Sequence, residues 1–198
     1  MNKLLKKFTV GLLLAVFTLG ITGCGNTVGN ENKGSINSTS SVNEGEIKYP
    51  VKITDSFGTE ITLEKEPQKV ISIAPNITEM IFDIKAEDKL VGRTDYCDYP
   101  EDVEKIESIG TMRSPDVEKI ISLEPDLVIA STHFNEENAK KLQEAGIKVI
   151  SLYEENDVTG VYTMLETLGT ALNKNEQAKE SIDDMKKTIN EVTSSVNG

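Results

Sequence analysis

Tryptophan is absent from this chain, and several other reactive residue types nearly are. His133 is the single imidazole, Arg93 and Arg113 are the two guanidinium groups, and Cys24 and Cys97 are the two thiols. So few sulfur and imidazole donors exclude a cysteine-based zinc centre, which needs four ligands of these types. They also leave no disulfide framework of the kind that staples small exported domains. Bases are short relative to acids: 21 Lys and Arg face 33 Asp and Glu, for a formal charge of −12. Neutralising phosphates needs the opposite balance, so a nucleic-acid binder is excluded on composition. Aromatic residues make up 5% of the chain, so any core must be aliphatic. The 198 residues suffice for one domain of usual size with extensions.

One long hydrophobic run is present, at the N-terminus. The basic stretch MNKLLKK precedes FTVGLLLAVFTLGIT, residues 8–22. That run falls short of the roughly 20 apolar residues a membrane-spanning helix needs, and it has the layout of an export signal. Ile21-Thr22-Gly23-Cys24 follows, and it resembles a bacterial lipobox. The resemblance implies cleavage before Cys24, a lipid on its thiol and no intrachain partner for Cys97. A plain secretory signal with an incidental cysteine is the other reading. Residues 1–23 are thus expected to be a leader. Residues 24–46, rich in Gly, Asn, Ser and Thr, are expected to be a flexible tether.

From residue 49 the pattern becomes that of a folded domain. Val51, Ile53, Ile61 and Leu63 alternate with polar residues around a turn with Asp55, Ser56 and Gly58, which predicts a hairpin. Short apolar strands then alternate with helices. Strands are expected at 70–73, 89–92, 127–130 and 148–152, and helices from Asn76 as N-cap, over 115–123, 135–145 and 157–172. Ser114 is the expected cap of the second helix with Pro115 at its first position, and Gly146 closes the third. Val158, Val161, Tyr162, Leu165 and Leu168 mark the buried face of the fourth. A last helix carries Ala178, Ile182, Met185, Ile189 and Val192 on one stripe, an apolar face that calls for a covering partner or further chain. This order predicts an α/β fold, a parallel sheet with flanking helices preceded by a β-hairpin. The lobe occupies residues 47–155 and a helix pair residues 156–198.

In such sheets ligands gather outside the carboxyl ends of the strands. Three loops leave those ends, at 74–77, 93–114 and 131–135, and the second is long enough to suggest function. It contains the sequence RTDYCDYP. Tyr96 offers a flat ring for ligand contact, with loop packing as the alternative, while Tyr99 before Pro100 is expected to anchor the loop. Cys97 lacks an adjacent histidine to lower its pKa, so it reads as a packed thiol and not a nucleophile. Asp95 and Asp98 are turn-stabilising candidates. Arg93 and Arg113 flank the loop and suit an anionic ligand group, although solvated positions explain them as well. His133 is either an ordinary polar loop residue or an axial ligand to a bound metal complex. Phe134 beside it can supply an apolar wall.

Three stretches stand in order: KVISIAPNITEMIF, GRTDYCDYPEDVEKIESIG and SPDVEKIISLEPDLVIAS. With the lipobox they resemble the substrate-binding lipoproteins of ABC importers for vitamin B12, haem and ferric siderophores, and the DYCDYP segment is most similar to the cobalamin-binding branch. The resemblance implies two α/β lobes joined by one long helix, of which this chain would hold the N-terminal lobe and the start of the connecting helix. It implies a corrinoid as transported ligand, with haem or a ferric siderophore as the alternative, and neither a resident cofactor nor catalysis. It implies ligand contacts at Asn76, Tyr96, Met112, Arg113, Ser131, His133 and Phe134, with Met112 also a candidate haem ligand. Tryptophan is common in the B12 branch at the positions of Met112 and Ser131, and this chain departs from that pattern. Glu118 aligns with the acidic rim residue that pairs with arginine of the permease, although an acid in a first helical turn also serves the helix dipole. The partners implied are the permease and ATPase, and the membrane through the lipid anchor, with the protein facing outside the cytoplasm. Two readings from other classes stand beside this one: an exported α/β hydrolase-type enzyme, and a surface lobe that pairs through the stripe of its last helix. Against the first, the chain has no Gly-x-Ser-x-Gly and no Gly-rich phosphate loop.

Overall fold

The computed structural model describes residues 47–153 and 157–196. The expected leader and the expected tether, with Cys24, lie outside the described residues. The first elements are two strands, β1 (Val51–Thr54) and β2 (Glu60–Leu63), paired antiparallel with Val51 opposite Leu63. Asp55 builds the turn between them, its carboxylate accepting from the backbone of Phe57 and Thr59.

Four parallel strands follow: β3 (Val70–Ser72), β4 (Leu90–Gly92), β5 (Leu127–Ala130) and β6 (Lys148–Ser151). Their order across the sheet is β4-β3-β5-β6. Every residue of β3 and β5 is buried, as in sheets covered on both faces. The alternation of side chains divides them between two cores. Val70, Leu127, Ile129 and Ile150 face one side with the hairpin and helices α1 (Pro75–Asp83), α4 (Val158–Leu172) and α5 (Asn175–Val196). Ile71, Val128, Ala130 and Val149 face the other, under α2 (Val117–Ser122) and α3 (Glu136–Glu144). The fold class is the one expected from the strand and helix order.

Several boundaries differ from expectation, each for a local reason. Ala74, not Asn76, is the N-cap of α1. Pro75 takes the first helical position, where its missing N–H costs nothing, and Asn76 lies inside the first turn. The second helix begins at Val117, because the Asp116 carboxylate accepts from the Lys119 amide and caps it. Ser114 is therefore not the cap, and Pro115 is buried in an antiparallel bridge with Gly110. Lys89 closes a 3-10 turn (Glu87–Lys89) before β4. Val158 is 39% exposed, so the buried face of α4 starts later, at Met164 and Leu165. Asn135 caps α3 through its bond from the Asn138 amide, and Gly146 follows with φ +84°.

The α4–α5 corner is tightly cross-bonded. Asn173 adopts a left-handed conformation, accepts from the Ile47 amide and donates to Glu66 Oε2 at 2.9 Å. Glu66 Oε1 accepts from Lys89 Nζ at 2.6 Å, and the Lys89 side chain is only 6% exposed. Burial alone would raise the Glu66 carboxyl, but bonds from Lys89 and Asn173 hold it below its ordinary value. Burial and the Glu66 charge push the nearby Tyr49 phenol up to about 12.

Candidate functional site

The chain changes direction across the sheet at β3: it visits β4 on one side, then crosses to β5 on the other. A crevice outside the strand ends is expected at that reversal, between the loops leaving β3 and β5. The loop leaving β4 lies beside it, and it is far from loose. Arg93 pairs in parallel with Ser108, Ile109 donates to Arg93 O and Asp95 donates to Gly110 O, so residues 107–110 extend the sheet beyond β4. This close return explains Gly92, where a Cβ would meet Ile71 at 3.0 Å and Ile109 at 3.1 Å. Between these paired segments runs a 3-10 turn (Glu101–Lys105) whose Val103 is buried. The Arg93 guanidinium donates to Val103 O and Thr94 O at 3.0 Å each. These two bonds tie the loop together through the Arg93 side chain.

On this frame Tyr96 stands 60% exposed while its neighbour Cys97 is 1% exposed, which matches the packed-thiol expectation. Tyr99 is 68% exposed and so does not anchor the loop through burial. Asp95 accepts from Ser108 Oγ, a side-chain partner across the loop and not the backbone turn contact expected of it.

Met112 and Ser131, predicted from separate loops, meet: Ser131 Oγ donates to Met112 Sδ at 3.5 Å. Met112 is half-buried and packs on both cores, whereas Ser131 is 8% exposed and offers little surface of its own. Their contact joins the second and third loops. Phe134 is half-buried against the second core, and His133 is exposed with Nδ1 3.3 Å from Thr132 Oγ1. Arg113 is exposed and Asn76 is half-buried. Among the described residues no group of three or more His, Cys, Asp or Glu is placed to hold a metal ion.

Glu118 is exposed in the first turn of α2, as expected. The Lys141 ammonium of α3 is raised first by its bond to Glu137, 2.8 Å away, and also by the charge of Glu118. Sequence reasoning missed Ser72, Thr78 and Thr94, three fully buried hydroxyls near Cys97. Their spacings of 6, 16 and 3 residues carry no periodic signal.

The periplasmic binding protein family profile matches residues 70–198, well over half of the chain. The chain belongs to the periplasmic binding protein family. An uncharacterized ABC transporter substrate-binding lipoprotein, YvrC of Bacillus subtilis, is 33% identical over 184 residues, 91% of this chain and 55% of that protein. A vitamin B12-binding protein of Vibrio vulnificus is 36% identical over 91 residues, 45% of this chain and 33% of that protein. Among solved structures, the iron uptake ABC transporter substrate-binding protein PiuA of Streptococcus pneumoniae superposes with a TM-score of 0.65 at 25% identity. The match covers 75% of this chain and 54% of PiuA. This periplasmic binding protein chain therefore spans about half, or less, of the length of these relatives. Among its described residues no helix is long and apolar enough to cross a membrane.

Proposed function

We propose that this chain supplies the N-terminal lobe of the substrate-binding component of an ABC importer, that it binds a corrinoid outside the cytoplasm, and that it delivers it to a permease–ATPase complex. The observation that carries this reading is the exposed Tyr96 ring on the same loop as Met112, whose thioether meets Ser131 of the next loop. A flat amphipathic ring and a polarisable thioether carried by one loop suit a planar macrocycle, because the ring buries large area at small entropy cost and the thioether adapts to it. Asn76, Arg113, His133 and Phe134 complete the contact set, and Arg113 is free to meet an anionic group. The protein holds its cargo and does no chemistry on it. Cys24 carries the lipid that keeps the lobe at the membrane, and Glu118 is the docking carboxylate for the permease.

Absorbance titration with cyanocobalamin and with hemin tests the ligand. Saturable cobalamin binding weakened by Tyr96→Ala is expected; saturable hemin binding with no cobalamin binding overturns the corrinoid reading. The second reading, a haem or ferric-siderophore binder, is favoured by the exposed His133 imidazole. It requires His133→Ala to change the hemin spectrum. Lipidation is tested by metabolic labelling with an alkyne fatty acid: the label should vanish in Cys24→Ser, and its persistence there would refute the anchor. For docking, Glu118→Lys should reduce stimulation of the transporter ATPase without altering ligand affinity.

A further inference from the structure

Four small polar side chains meet beneath the loop that carries Tyr96. Thr94 Oγ1 lies 3.2 Å from Cys97 Sγ, and Thr78 Oγ1 lies 3.1 Å from the same sulfur. Thr78 Oγ1 is also 2.8 Å from Ser72 Oγ, and Ser72 Oγ donates to Ala74 O at 3.0 Å. Ser72, Thr78 and Thr94 are 0% exposed and Cys97 is 1% exposed. In this row Thr78 is the donor towards Cys97 Sγ, Ser72 Oγ and, at 3.2 Å, Ala74 O, so its one hydroxyl proton is shared among these acceptors, while either Thr94 or Cys97 can donate in their own contact. Among the described residues no buried side-chain polar atom lacks a partner.

The row joins three parts of the fold: the last residue of β3, the first turn of α1 and the turn at 94–97. That turn is itself closed by the Cys97 amide, which donates to Thr94 O at 3.1 Å. Tyr96 stands between the two members that hold the loop, so its backbone is pinned on both sides while its ring stays outside. Apolar side chains of similar size would fill the same space but would accept several arrangements; directional hydrogen bonds in a dry interior accept few. A lone buried thiol needs no partner to pack, since cysteine behaves as a small hydrophobe. Two hydroxyls converging on its sulfur therefore set a direction and do not merely fill volume.

We infer that this buried row is the device that fixes Tyr96 at the strand ends, with Cys97 as its central positioning residue. The inference rests on the reading of Tyr96 as a ligand-facing ring. It assigns the thiol a mechanical role, which serine can replace and valine cannot.

The test uses the full chain and its Cys97→Val, Cys97→Ser and Thr78→Val variants, followed by amide exchange and by the Tyr96 ring resonances in NMR spectra. In Cys97→Val and Thr78→Val, exchange over residues 94–98 should quicken about tenfold or more, as expected for a local opening. The Tyr96 ring signals should move, while amides of β5 and α4 keep their parental rates. Cys97→Ser should restore both readouts. Unchanged Tyr96 signals and exchange in both valine variants overturn the inference, and so does an acceleration spread evenly over the lobe. Should Cys97→Val fail to fold, Thr78→Val decides alone. A parent chain that binds neither cyanocobalamin nor hemin defeats the proposed function, and the exchange measurements still decide whether the row holds the loop.

Discussion

Replacing Gly169 with alanine places the α4–α5 packing under direct test. In an isolated helix the change would be favourable by about 1 kcal/mol, because glycine is a poor helix former. Here a Cβ at position 169 would come 2.7 Å from the Ala178 Cβ, 3.2 Å from Lys174 O and 3.3 Å from the Asn175 Cα. Carbon atoms prefer separations of about 3.5–4.0 Å, so the helices must part by roughly an ångström. They cannot do so freely: Lys174 N donates to Gly169 O at 2.7 Å and Ala178 N to Lys174 O at 2.9 Å, which binds the corner to both helices. Overpacking of this kind costs about 1–3 kcal/mol. Set against the propensity gain, Gly169→Ala should lower stability by up to about 2 kcal/mol. Urea unfolding should show the loss as a downward midpoint shift of up to about 1 M, for a slope of about 2 kcal/mol/M. The double variant Gly169→Ala with Ala178→Gly removes the shortest contact. It should be more stable than the sum of the two single changes by about 1 kcal/mol or more. A higher midpoint for Gly169→Ala, or strict additivity in the double variant, would refute the close-packing argument.

Further outcomes follow from the buried ion pair and from the loop. Glu66→Gln should destabilise more than Lys89→Met in urea unfolding, since the first strands an ammonium on a side chain 6% exposed and the second leaves a carboxylate 31% exposed. Losses of about 2–4 kcal/mol are expected, somewhat below those of fully enclosed pairs. Because Glu66 is held below its ordinary value when folded, its contribution is complete above the ordinary carboxylate range and is lost as pH falls through the folded value. Parent and Glu66→Gln midpoints should therefore converge on acidification from pH 7 to about pH 3. The Tyr49 phenol has the opposite sign: raised to about 12, it adds stability below pH 10 that declines as pH climbs towards 12, and Tyr49→Phe should flatten that alkaline limb. In ligand titrations Tyr96→Ala should weaken binding about tenfold or more, the worth of a well-packed aromatic contact, while Cys97→Ser should leave it near parental. Equal losses from both would mean that the ring is not the contact.

Much of the architecture was legible in the sequence because its signals are local. The β5 run of four apolar residues and the Asn135 and Gly146 ends of α3 each act over a few positions, and each is where expected. Among the candidate site residues, Tyr96 and Glu118 are exposed on their elements as read from the sequence, and Met112 and Ser131 meet. The start of α2 was harder, since Ser114, Pro115 and Asp116 all carry start signals. The outcome depends on which one the loop return at Gly110 claims; it claims Pro115. That return was itself illegible. Residues 107–110 lack an alternating pattern, and their pairing with Arg93 and Asp95 depends on contacts made only after the sheet exists. The same holds for the Ser72–Thr78–Cys97–Thr94 row and for the Arg93 guanidinium, whose partners are backbone carbonyls that sequence does not single out.

The corner at Asn173 has a consequence for how motion at one end of the molecule is felt at the other. The α5 helix has 22 residues, and at 1.5 Å per residue it reaches about 33 Å from that corner. A tilt of roughly 5° at its base would swing its far end by about 3 Å, several times the thermal displacement of an ordinary packed atom. Bonds at Asn173 from Ile47 and to Glu66, together with the Lys174 amide donating to Gly169 O, oppose that tilt. The helix is thereby held as a stiff lever arm, and whatever engages its distal turns is placed at a distance and bearing set by the lobe at its base.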